Sequence, residues 1–230
     1  MSFSRRIVYL LLIGFYMPIT YAALTIEITE GVESAVPIAV VPFASETAPV
    51  NIAAIVNADL ERSGYFKMMA EQSLPARPSK AAEVNFKEWQ ALGQSYMVIG
   101  QVIDAGGQYN VQFQLLDTYK SAQLLGYRMV SSSADLRRTA HHISDLIFEK
   151  LTGKKGVFSG RIAYITTTDL GNKQQSHRLQ VADADGFNPK TIASSVEPLM
   201  SPSWSPDGKK VAYVSFERKS AAIYVQTLAT

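Results

Sequence analysis

Asp183-Ala184-Asp185-Gly186 places two carboxylates two residues apart beside a glycine, a grouping from which calcium loops are built. The EF-hand spacing fails in both registers. Counted from Asp183, Gly186 falls at position four and Ser194 at position twelve; with Gly186 at position six, Val181 and Ile192 occupy positions one and twelve. A β-turn after a strand suits these four residues better. As a glycosidase pair the same carboxylates would need a sugar cleft, which no other stretch of the chain supplies.

The three histidines are His141, His142 and His177. His141 and His142 are neighbours about 100° apart around a helix axis, so they do not converge on one metal as an i, i+4 pair does. They read as solvated or partly packed helix residues. His177 sits in a polar loop near Lys173 and Arg178 and has no catalytic partner in view. With no cysteine, thiolate nucleophiles, thiolate ligands and disulfides are all excluded. There is no G-x-S-x-G elbow, phosphate-binding glycine loop or H-E-x-x-H, so serine hydrolase, nucleotide-binding and zinc peptidase chemistries lack their residues. No catalytic residue, metal site or cofactor is expected.

The elements that carry these residues begin behind an export signal. Arg5 and Arg6 precede an apolar run from Ile7 to Met17 and then Thr20-Tyr21-Ala22, the layout of a cleavable signal peptide over residues 1–22. As a membrane anchor the run is too short, since eleven residues at about 1.5 Å each cross only about half of a hydrocarbon core. Without Arg5 and Arg6 the chain holds 20 basic and 20 acidic residues and is formally neutral. Nucleic-acid binding thereby loses its main electrostatic term.

Ala23 to Glu33 alternates, with Leu24, Ile26 and Ile28 on one face and Thr25, Glu27 and Thr29 on the other, followed by Glu30, Gly31, Val32 and Glu33. This is a half-buried strand or a detachable one. PIAVVPF, Pro37 to Phe43, reads as a strand covered on both faces. Ile52, Ile55, Val56 and Leu60 recur at helical spacing with Asn51, Asn57, Asp59 and Glu61 between them, before a stop at Ser63-Gly64. Tyr65 to Ala70 suits a strand, Asn85 to Leu92 a short helix, and Tyr96 to Asp104 with Tyr109 to Asp117 a hairpin turning at Gly106-Gly107. Leu125, Tyr127 and Met129 continue the alternation. Leu136, Ala140, Ile143, Ile147 and Leu151 define a helix, with Ser132 to Asp135 as its cap and Gly153 as its end. The expectation is a mixed α/β domain over residues 23–152 and a linker over 153–160.

Past Gly160 the chain repeats. RIAYIT (Arg161 to Thr166) matches KVAYVS (Lys210 to Ser215) at an offset of 49, and LQV (Leu179 to Val181) matches IYV (Ile223 to Val225) at an offset of 44. The difference is taken as loop length. A strand-loop-strand unit of this period, preceded by SPSWSPDG, points to β-propeller blades, with Trp204 packed in the blade and Pro206-Asp207-Gly208 turning between its strands.

PIAVVPF behind an acidic leading segment, FEKLTGKKGVFSGRIAY from Phe148 to Tyr164, and EPLMSPSWSPDGKKVAYVSFE from Glu197 to Glu217 together resemble the TolB family of periplasmic propeller proteins. The resemblance runs through nearly all of the chain after residue 22. It implies a fold with an α/β N-terminal domain (a mixed sheet with helices) followed by the first strands of a β-propeller, about one to two blades over residues 161–230. It also implies a monomeric, non-enzymatic scaffold in the bacterial periplasm, with TolA and Pal as partners, a role in envelope constriction at cell division and in outer-membrane integrity, and use by imported bacteriocins. The family's TolA-binding peptide carries over to Ala23 through Glu33. The family's propeller has six blades and its Pal surface draws on later ones, which places most of that surface outside these 230 residues. Two other classes compete: a propeller-gated hydrolase whose nucleophile elbow would lie downstream, and a glycan- or peptidoglycan-binding module using Trp89 and Trp204.

Overall fold

The computed structural model describes residues 35–45 and 48–228. Five strands form the first sheet: β1 (Val36–Val40), β2 (Phe66–Met68), β3 (Tyr96–Asp104), β4 (Gln108–Asp117) and β5 (Ala122–Ser132), in the order β2-β1-β3-β4-β5. β1 runs parallel to both of its neighbours, and β3, β4 and β5 form an antiparallel meander. Pro37 lies inside β1 at a point before its pairing with β3 begins, where no donor is required of it, and its carbonyl accepts from Ser95 N–H. The β3–β4 turn has Gly106 at φ 74° and Gly107 at φ 97°, closed by Ala105 N–H to Gln108 carbonyl at 2.7 Å. Two consecutive positive φ values match the twist of the strands they join.

Three helices pack on this sheet or its flank: α1 (Ile52–Arg62), α2 (Phe86–Ala91) and α3 (Leu136–Thr152). Asn51 caps α1 by accepting from Ala54 N–H at 3.0 Å, and Gly64 at φ 72° follows its end. α3 departs from expectation at its start, where a 3₁₀ turn (Ser133–Asp135) leads in and no side chain caps the first turn. Asp135 instead accepts from Ser132 Oγ and Arg138. Gly153 ends the helix in the left-handed region, donating to the Glu149 carbonyl at 2.9 Å.

α1 and α3 cover one sheet face. Ile52, Val56 and Leu60 of α1 and Leu136, Ala140, Ile143 and Ile147 of α3 meet Val98, Val111, Phe113 and Leu115, all essentially buried. Each such side chain is worth roughly 1.5–3 kcal/mol on removal from water. The opposite face has a smaller core of Ala39, Val41, Met97, Ile99, Leu116 and Trp89, closed by residues of the segment that runs from Met69 through α2.

The second half holds two three-stranded antiparallel sheets, β6 (Arg161–Gly171), β7 (Gln174–Asp183) and β8 (Lys190–Ser195), then β9 (Leu199–Trp204), β10 (Lys210–Ser215) and β11 (Ala222–Thr227). The stretch between Ile165 and Leu179 is not a long loop. It continues both strands to a two-residue turn at Asn172 (φ 52°) and Lys173 (φ 63°), and His177 is therefore a buried strand residue bonded through Nδ1 to Thr167 Oγ1 at 3.0 Å. Leu179, Val181, Leu199 and Val211 form the core shared by the two sheets, with Trp204 packed against it. Pro206-Asp207-Gly208 makes the predicted turn, Gly208 N–H donating to the Ser205 carbonyl at 2.9 Å.

Two tests follow from this packing. A Cβ at Gly100 would stand 2.5 Å from the Gln112 carbonyl oxygen and 2.7 Å from the Phe43 ring, so Gly100→Ala should destabilise the chain by about 1–3 kcal/mol in urea unfolding; an unchanged midpoint contradicts the tight seat. In the 205–209 turn, donation from Ser205 Oγ and then from Lys209 N–H holds the Asp207 carboxyl below the usual carboxylate range. A depressed folded value means that its stabilisation is present above the unfolded value and is lost as pH falls through the lower folded one. NMR protection of the Lys209 amide should therefore drop at acid pH, below about pH 4, while the β3–β5 amides hold. An acid-indifferent Lys209 amide would refute this.

Candidate functional site

α1 and α3 pack through an apolar seam with one acid in it. Asp59 is completely buried, a correction to its placement among the polar residues of α1. Ile52, Val56, Asp59 and Leu60 are i, i+4, i+7 and i+8, the full width of a buried stripe, and that spacing was the available signal. A carboxylate there must be hydrogen-bonded or paired. Ser144 Oγ donates to Asp59 Oδ2 at 2.7 Å, His141 Nδ1 lies 2.7 Å from the same oxygen, and the Arg62 guanidinium holds Oδ1.

His141 is correspondingly buried, whereas the adjacent His142 faces solvent. The expectation of a solvated or partly packed residue holds for His142 and fails for His141. Arg137, His141 and Ser144 stand at i, i+4 and i+7 and form a polar row along α3. A carboxylate oxygen accepts, so the contact with Asp59 assigns the ring N–H to Nδ1. Nε2 has no hydrogen-bond partner and lies 3.8 Å from Asp185 Oδ2.

Asp185 belongs to the Asp183-Ala184-Asp185-Gly186 turn, which is the β-turn expected, Gly186 N–H donating to the Asp183 carbonyl at 2.8 Å. Its Oδ1 accepts from Phe187 N–H at 3.0 Å. Arg137 pairs with Asp185 Oδ2, places Nε 3.7 Å from Asp183 Oδ2, and lays its guanidinium on the Phe187 ring at 3.9 Å. His141, Asp183 and Asp185 offer ligand atoms within 4.8 Å of one another, a spacing compatible with a metal ion. Arg137 already supplies the positive charge there, so the group is an ion-pair junction joining α3 to the first blade. Local sequence pattern could not reveal it, because residues 59, 141 and 185 meet only in the tertiary fold.

A second feature lies on the sheet face opposite α1 and α3. From Gln101 of β3 across β4 and β5 that face is uncovered and carries Gln112, Gln114, Gln123 and Arg128, forming a groove of about 550 Å³ against residues 79–82. Its amides are largely engaged with one another: the Gln101 and Gln112 amides lie 3.0 Å apart, Gln114 Nε2 donates to Gln123 Oε1 at 2.5 Å, and Ala81 N–H to Gln114 Oε1 at 3.2 Å. The two tryptophans do not offer stacking platforms. Trp89 is fully buried, and Trp204 is partly buried with the Arg161 guanidinium over its ring at 4.9 Å.

The leading peptide, Ala23 through Glu33, lies outside the described residues, as does the proposed signal segment. Among the described residues no helix is long and apolar enough to cross a membrane.

The junction generates a stability test. Asp59→Ala removes the acceptor shared by His141, Ser144 and Arg62 and should cost about 3 kcal/mol or more in urea unfolding, with Asp59→Asn retaining part of it. Equal stability of Asp59→Ala and the parent chain would show that the network contributes nothing.

Residues 24–124 match the family model for the TolB amino-terminal domain, and residues 148–230 match that for the TolB beta propeller domain. Among curated relatives, the Tol-Pal system protein TolB of Nitrosococcus oceani is 50% identical over 93% of this chain and 50% of its own length. That of Thioalkalivibrio sulfidiphilus is 48% identical over 95% and 52%, and that of Methylococcus capsulatus 44% identical over 100% and 54%. The chain thus spans about half the length of the curated relatives it matches. The crystal structure of TolB from Acinetobacter baumannii superposes with a TM-score of 0.78 at 40% identity, covering 88% of this chain and 49% of that one. An α/β domain followed by open propeller sheets, matched in that order by both TolB domain models and by a TolB crystal structure, establishes that the chain belongs to the TolB family.

Proposed function

We propose that the chain serves the Tol-Pal system as a non-enzymatic periplasmic scaffold between TolA and Pal, exported behind a cleaved signal peptide over residues 1–22. The observation that supports this most is the order of the two matched domains, the TolB amino-terminal domain ahead of the TolB propeller. The proposed contribution is to outer-membrane integrity and envelope constriction during division, with bacteriocin import using the same contacts.

The proposed TolA contact is the peptide Ala23 through Glu33. An alternating segment can add to the edge of a partner's sheet through main-chain hydrogen bonds, with alternate side chains giving specificity. Glu27, Glu30 and Glu33 favour a basic partner surface and would speed its encounter. The principal Pal contact falls to later blades of the full-length family propeller.

Deleting residues 23–33 should abolish TolA association in a pulldown or titration while the circular dichroism and unfolding midpoint of the remaining chain stay unchanged. Retained TolA binding after that deletion removes the assignment.

A further inference from the structure

The junction between α3 and the first blade contains one imidazole among its ion pairs, and an imidazole gains a second N–H donor with a single proton. Six side chains make it up: Asp59 and Arg62 from α1, Arg137, His141 and Ser144 from α3, and Asp185 from the turn after β7, with Asp183 beside Arg137. Neutral His141 has one N–H, at Nδ1, which Asp59 engages at 2.7 Å. Its Nε2 lone pair then faces the Asp185 carboxylate 3.8 Å away, buried and without a donor. That contact is unfavourable, since both atoms are acceptors. A second proton makes both ring nitrogens donors, one directed at each carboxylate. It also balances the junction, setting Asp59, Asp183 and Asp185 against Arg62, Arg137 and the imidazolium.

We propose that His141 is a proton-operated latch between α3 and the first propeller blade. Proton uptake draws the 183–187 turn onto α3, and proton loss leaves Arg137 as its remaining polar tie to that helix. The direction follows from the geometry: acid closes the latch and mild alkali loosens it. Histidine is the side chain suited to this, because one ring donates from a single nitrogen or from both. Asp59 acts as a positioning residue by holding Nδ1, which directs Nε2 at Asp185. The latch is independent of which partners the chain binds.

The test is amide hydrogen exchange of Ala184, Gly186 and Phe187 in the full chain, corrected for intrinsic exchange at each pH. These amides donate to Gly160, Asp183 and the Asp185 side chain, so they report directly on the turn. Protection should be about tenfold greater near pH 5.5 than near pH 8, the effect of one charge-assisted hydrogen bond. His141→Asn keeps a donor near the Nδ1 position and has no second site for a proton, so its protection should be flat across that range. Asp185→Asn keeps the oxygen that receives Phe187 N–H but removes the charge facing Nε2, and should also flatten the profile. Should His141→Asn fail to fold, Asp185→Asn decides alone. A flat profile in the parent chain, or an undiminished pH dependence in Asp185→Asn, overturns the latch.

Discussion

A carboxylate in the dry seam between two helices has to find its donors in the protein, and Asp59 finds all of them within one turn of α3 and one of α1. That requirement fixes more than a local bond. Ser144 and His141 can both reach the same oxygen only if α3 crosses α1 at one axial register, so the acid selects a single sliding position where leucine and isoleucine contacts alone would tolerate several. Once α3 is set, Arg137 stands one turn before His141 and projects to the blade turn. The placement of the first propeller sheet therefore traces back through Arg137 and His141 to one acid on α1.

The first sheet shows the complementary economy. Its helix-facing side is apolar on β3, β4 and β5 and carries the main core, while the other side is covered over β1 and β3 and left to amides over β4 and β5. Glutamine suits such a half-wet surface, because each side chain can satisfy its neighbour when water is excluded and water when it is not. Gly100 allows the Phe43 ring to lie directly on the sheet beside Phe113, closing the core where the strand leaves α1.

Most of the first domain was legible because its signals are local. Period-two alternation over Val111, Phe113 and Leu115, the glycine pair at 106–107 and the helix stop at Gly153 each specify geometry within a few residues. The repeat of RIAYIT and KVAYVS disclosed the blades for the same reason. What escaped was whatever depended on distant partners. Asp59 read as one of the polar residues of its helix and His141 as solvated or partly packed, because their justification is each other, 82 residues apart in sequence. The β6–β7 hairpin read as a loop because its distal strands carry threonine, glutamine and serine, and the cross-strand pairing that makes them strands appears only when the two halves are aligned.

Arg161 opens the first blade and reaches the turn of the second, donating from Nη2 to the Gly208 carbonyl at 2.6 Å while its guanidinium covers Trp204. One side chain thus ties the first residue of one sheet to the corner of the next. That tie lies at a corner, beside the core of Leu179, Val181, Leu199 and Val211 that the two sheets share. The polar tie can break without exposing apolar surface, so the two sheets stay packed through that core when Arg161 is solvated.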